Sequence, residues 1–213
     1  MVKTEKSETY IKATFHSLVQ AVVPPQKIHL NNDTSYIKPG AFELKIYDYL
    51  LQILNRSIPE MVKKQLKVES LAKSTAELLD NGAVFLIHSK KNLYPICCNG
   101  FPGGGPFTLL APLDRLRAIS CIERLEINKG DLSPPYENNK GLILNMMDVL
   151  HQLTFFGFYS EWTGYGSTAL LTPESRQLEY FPVGWSQACY PGPAYAYRDF
   201  RGFLAFMPNK KEN

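Results

Sequence analysis

The sequence predicts a mainly α-helical single domain of about five helices, held together by long loops rich in proline, glycine and aromatic residues, with room for one small β-hairpin. Three observations lead there. Apolar residues recur at helical spacing over several separate stretches. Between those stretches gather most of the 15 prolines and 14 glycines. The 213 residues, 45% of them apolar, suffice for one sizeable core. No internal repeat divides the chain, so residues 1–213 read as one domain, a helical body over about 9–160 followed by an aromatic C-terminal wrap over about 161–206.

The first helix spans Thr9 to Val23, where Ile11, Phe15, Leu18, Val19 and Val22 line one face before Pro24 and Pro25 end it. The run QKIHLNNDTSYIKPG is polar and turn-rich and reads as a surface loop. A second amphipathic helix runs from Ala41 to Asn55, entered through the Pro39–Gly40 turn, with Phe42, Ile46, Tyr49, Leu50 and Ile53 as its apolar stripe. Glu60 to Asp80 carries a weaker pattern, a third and broken helix, with Asn81–Gly82 as its C-terminal cap. Ala83 to His88 fits either a strand or a buried helical end.

Four glycines and four prolines in KNLYPICCNGFPGGGPFTLLAP require a long loop. Pro112 then opens a helix reaching Ile127, with Asp114 near its positive end and Leu113, Leu116, Ile119, Ile122 and Leu125 as its stripe. A helix from Asn139 to Tyr159 is apolar almost all round, which places it at the centre. Beyond it, STALL and QLEYF flank Thr172–Arg176 as the two arms of a small hairpin.

Charge excludes some partners. The 23 basic and 20 acidic side chains leave a net charge of +3, with the basic residues scattered, so the composition argues against nucleic acid. Asn145, Asp148, His151 and Gln152 interrupt the longest apolar stretch, which argues against a direct membrane span. MVKTEKSETYIKATF has no apolar export core and no twin arginines, so the expected address is cytoplasmic, with export alongside a partner as the other route.

Catalytic signatures are sparse. Gly103–Gly105 lacks the lysine and hydroxyl residue that a phosphate loop needs after its glycines, and reads as backbone turning against a packed neighbour. His16, His29, His88 and His151 stand apart without metal-ligand spacing; His151, polar on an apolar helix, needs a hydrogen-bond partner. Cys97–Cys98 is not a redox motif, and with Cys121 and Cys189 it reads as reduced. Asp148 and Glu161 are carboxylates of a kind that pairs in space, but any chain this long offers such pairs. No G-x-S-x-G nucleophile elbow occurs, so the expectation is no catalytic residue, no metal site and no cofactor site in this chain.

The densest constellation is FFGFYSEWTGYGS, followed by LEYFPVGWSQACYPGPAYAYRDFRGFLAF. Glu161-Trp162-x-Gly164-Tyr165-Gly166, then Trp185, then Tyr190-Pro191-Gly192-Pro193 resembles the C-terminal pattern of the gluconate 2-dehydrogenase subunit 3 family, small gamma subunits of bacterial flavin-dependent sugar and polyol dehydrogenases. AVVPP followed by PGAFELKIYDYLL is similar to the family's entry into its second helix. The resemblance implies a non-catalytic accessory subunit of an oxidoreductase complex, partnered with a larger flavoprotein of the glucose-methanol-choline class. It would assist that partner's maturation, stability or export, and the FAD and substrate would belong to the partner. Many members carry a twin-arginine export signal, which is not found in this sequence.

Trp, Tyr and Arg are the side chains enriched at binding hot spots. The candidate interface residues are accordingly Trp162, Tyr165, Trp185, Tyr190, Pro191, Pro193, Tyr197, Arg198, Arg201 and Phe203. The same rings can instead seal the chain's own helices, and both uses stay open. So do two other function classes. One is a small thiol- or histidine-dependent hydrolase using Cys98 or His151 in a pocket formed by the glycine loop; the other is a carbohydrate-binding module stacking sugars on the tail's rings.

Overall fold

The computed structural model describes residues 2–31, 34–66, 68–97, 100–128, 130 and 132–192. Helix α1 (Val2–Val22) is followed by strands β1 (Gln26–Asn31) and β2 (Thr34–Lys38), then by α2 (Ile46–Arg56), α3 (Glu60–Gln65) and α4 (Leu71–His88). The second half holds α5 (Pro106–Leu109), α6 (Pro112–Glu123), α7 (Lys140–Tyr159) and α8 (Val183–Gln187). The protein is mainly α, with one two-stranded antiparallel sheet among the described residues.

The core is shared by five helices. Phe15, Leu18 and Val19 of α1 meet Ile46, Leu50 and Leu54 of α2, Leu78, Leu79 and Leu86 of α4, Ile119 and Ile122 of α6, and Met147 and Leu150 of α7, all buried in one cluster. Burial of such side chains, about 1.5–3 kcal/mol each, is the main stabilising contribution. Two glycines set the closest helix crossings. A Cβ on Gly82 would stand 2.7 Å from the Ile122 side chain and 2.9 Å from the Ala118 carbonyl, and one on Gly157 would stand 2.8 Å from the Tyr49 ring. So α4 lies against α6, and α7 against α2, at distances only glycine permits.

Several elements differ from the sequence expectation. Asn81–Gly82 does not cap a helix: α4 continues through it to His88, because the packing of Gly82 on α6 outweighs its weak propensity. Ala83–His88 is therefore helical end, not strand. The polar run after α1 is the hairpin, with Gln26 opposite Lys38 and Ile28 opposite Tyr36. Tyr36 and Ile37 are exposed, so no buried face imposed the apolar alternation by which strands are recognised.

Helix α6 stops at Glu123, short of Ile127, where Leu125 takes a left-handed backbone with φ 56°. Helix α7 begins where expected, its N-cap Asn139 accepting from the Leu142 N–H at 3.0 Å. It is not enclosed. Ile143, Met146, Met147, Leu150, Thr154 and Phe158 face the core, whereas Leu144, Phe155, Phe156 and Tyr159 are exposed.

The hairpin expected around Thr172–Arg176 does not form. Residues 161–164, 166–168 and 173–175 are 3₁₀ turns. Side chains take the place of a ladder there: the Ser167 N–H and hydroxyl both donate to Glu179, and the Thr168 hydroxyl donates to the Gln177 carbonyl at 3.0 Å.

Candidate partner interface

Trp162 and Trp185 anchor the wrap to the body. Trp162 is 5% exposed and sits edge-on to Tyr49 of α2, with centroids 5.1 Å apart. Trp185, 7% exposed, lies edge-on between Phe181 and Tyr190 at 5.7 and 5.0 Å. Both indoles are thus enclosed by the chain's own residues, leaving them little surface to offer. Helix α8 reaches α7 because Gly184 has no side chain: a Cβ there would fall on the Phe158 carbonyl and lie 2.8 Å from the Tyr159 Cα.

Tyr165 is half-buried, and its hydroxyl donates to Glu161 at 2.7 Å. Burial, then this bond to an anion, pushes its ionisation up to about 12, so the phenol stays protonated and acts as a donor. The arginine that fastens the wrap is Arg176, which the sequence had placed in a turn. Its guanidinium donates to Gln52 of α2 at 2.7 Å and lies 5.4 Å from the Trp162 ring and 5.8 Å from the Tyr165 ring. No local spacing announces a bond between residues 124 apart. Of the other expected interface residues, Tyr190 and Pro191 are exposed. Pro193, Tyr197, Arg198, Arg201 and Phe203 lie outside the described residues.

What the surface does present is a set of outward apolar side chains that lie within the aromatic stretches but were not among the candidate interface residues. Phe155, Phe156 and Tyr159 stand outward at the end of α7, Phe156 at 64% exposure. The wrap adds Leu170, Leu171, Leu178, Phe181 and Tyr180, the last at 67%. The Glu179 and Tyr180 N–H groups both donate to the Gly164 carbonyl, which fixes this strip of backbone beside Trp162. Leu178, Tyr180, Phe181, Pro182, Trp185 and Pro191 border a groove of about 420 Å³.

The elements of a hydrolase are not brought together among the described residues. His151 is partly exposed on α7, Asp148 lies exposed on the same helix, and Glu161 is engaged by Tyr165; Cys98 lies outside the described residues. Cys97, Cys121 and Cys189 form no disulfide. No group of three or more His, Cys, Asp or Glu side chains is placed to hold a metal ion, again among the described residues. No described helix is long and apolar enough to cross a membrane. The glycine run does turn against packed neighbours: Gly103 has φ 79°, and Gly105 lies on Asp80, whose carboxylate accepts from Tyr10 at 2.6 Å and from the Phe107 N–H at 2.8 Å.

The histidine in the most unusual setting is His16, not His151. Its ring lies 3.9 Å from Tyr47, 5.3 Å from Phe42 and 5.6 Å from Phe101, and its Nε2 is buried without a hydrogen-bond partner. Burial, reinforced by Lys12, lowers its pKa below the ordinary 6.5. The unfolded chain therefore binds the proton more readily, and stability falls as pH drops from 6.5 towards the folded value. Urea titrations between about pH 7 and about pH 5 should show that loss, and His16→Phe should remove its share of it.

The chain matches no family model, and neither a curated protein nor a solved structure matches it.

Proposed function

We propose that this chain is a non-catalytic small subunit that docks on a larger flavin-dependent dehydrogenase of the glucose-methanol-choline type and assists its maturation, stability or export. The observation that carries this reading is the outward set of Phe155, Phe156, Tyr159, Tyr180, Phe181 and Tyr190, with Leu170, Leu171 and Leu178. Solvated monomers keep contiguous apolar patches small, and large aromatics are what protein interfaces enrich. The pattern from Glu161 through Tyr190-Pro191-Gly192-Pro193 supports the choice of partner, and FAD and substrate are assigned to that partner.

The test is capture from the source organism with a tagged chain, identifying the partner by mass spectrometry and its flavin by absorbance. A flavoprotein dehydrogenase should be retained by the unaltered chain. Phe156→Asp with Tyr180→Asp should weaken that retention at least about tenfold, since hot-spot rings each contribute about 2 kcal/mol or more. The thermal midpoint of the isolated chain should hardly move, because both rings are exposed. Capture without a flavoprotein, or equal capture by the double variant, would refute the reading.

A further inference from the structure

The glycine loop meets the start of α6 around a cleft of about 510 Å³, whose lining includes Gln20, Cys97, Phe101, Pro102, Leu110 and Arg115. Among the described residues Arg115 is the one formally charged side chain in that lining, and it is only 5% exposed. Its Nη1 donates to the Ser17 carbonyl at 3.1 Å and to Gln20 Oε1 at 2.8 Å, and its Nη2 donates to the Thr108 carbonyl at 3.0 Å. All three acceptors are neutral. Among the described residues no carboxylate forms an ion pair with it. Its Nε is buried without any acceptor.

Burying a cation with no counter-charge is costly, and burial lowers the Arg115 pKa to about 10, opposed by the Cys97 sulfur. A guanidinium has five N–H donors, and three are engaged here. The Nε–H and one Nη2–H remain, and these are two donors on adjacent nitrogens, the arrangement that takes both oxygens of a carboxylate. Around the charge the lining is apolar: Phe101, whose ring is 5.6 Å from the guanidinium carbon, Pro102 and Leu110.

We propose that this cleft binds a small organic acid, its carboxylate on Arg115 and its apolar body against Phe101, Pro102 and Leu110, with the Cys97 thiol alongside. The site is independent of the partner subunit and would operate in the isolated chain.

The deciding variant is Gln20→Glu. It keeps the length of the side chain already bonded to Nη1 and supplies the missing negative charge from within, so it should fold and melt higher than the unaltered chain. Thermal melts of the full chain would be compared in benzoate, in its neutral counterpart benzamide, in inorganic phosphate and in chloride, at matched ionic strength. The expected result is a saturable rise in Tm with benzoate, little or none with benzamide or chloride, and a response at least about tenfold weaker in Gln20→Glu. Phosphate acting at lower concentration than benzoate would overturn the apolar-body assignment. No benzoate response, or one equally large in benzamide or in the variant, would overturn the site itself.

Alkylation gives a second readout. The Cys97 sulfur displaces iodide from iodoacetate or iodoacetamide, forming an S–C bond as the C–I bond breaks and releasing its proton to water. Peptide mass spectrometry should find a higher iodoacetate-to-iodoacetamide ratio at Cys97 than at exposed Cys189, and Gln20→Glu should abolish the difference. Equal ratios at the two thiols in the unaltered chain would count against a directing cation beside Cys97.

Discussion

Replacing Trp162 with alanine should lower the free energy of unfolding by about 3–5 kcal/mol, read as a shift of the urea midpoint at unchanged slope. The indole is 5% exposed, packs edge-on to Tyr49 at 5.1 Å and carries the Arg176 guanidinium 5.4 Å away. Its loss therefore opens a cavity where the wrap meets α2 and releases the arginine that bridges to Gln52. Trp162→Phe should recover part of the cost, since a smaller ring retains the contact with Tyr49. Phe156→Ala and Tyr180→Ala, which truncate exposed rings, should each change stability by no more than about 0.5 kcal/mol. The contrast separates the two uses of aromatic side chains in this protein. If Trp162→Ala leaves the midpoint in place, the indole belongs to the partner-facing surface after all and the division drawn between buried and outward rings fails.

That division was only half legible in the sequence. Helical spacing found α1, α2, α6 and α7, because each has a face that must be buried and the 3.6-residue period records which residues do it. It did not show that α7 would leave Phe155, Phe156 and Tyr159 in water, because a helix apolar on every side carries no mark of which side the body covers. The density of rings after Phe155 drew attention to the right part of the chain, yet Trp162 and Trp185 are used internally. Burial depends on what the glycines allow to approach, as at Gly184 against α7, and nothing local encodes that. Gly82 taught the same lesson: an Asn–Gly pair resembles a cap until a second helix, about 40 residues away in sequence, is found lying on it. Arg115 was hidden for a related reason. Its isolation from carboxylates is a property of α1, the glycine loop and α6 together.

Gly40→Ala should be nearly as damaging as the loss of Trp162, by about 3 kcal/mol, although it adds a single methyl group. A Cβ at Gly40 would stand 2.6 Å from the Pro25 nitrogen and 2.7 Å from the Pro24 carbonyl carbon, besides meeting the Val23 carbonyl oxygen. All of these are backbone atoms, and the two prolines have fixed φ, so they cannot give way by changing a rotamer. The neighbouring amide of Ala41 donates to that same Val23 carbonyl at 2.9 Å, and the Gly40 amide donates to Glu43 at 2.9 Å. Relief by movement would break the joint that brings the end of α1 to the entry of α2 and buries Ala41. The comparison that isolates this cause is Gly141→Ala, in the first turn of α7, where the nearest atom to the added carbon would be Asn139 Oδ1 at 3.9 Å. With open space and a gain in helix propensity, that variant should be more stable by about 0.5–1 kcal/mol. Opposite signs for the same chemical change would place the cost at Gly40 in backbone contact; equal effects would mean that the prolines after α1 move aside.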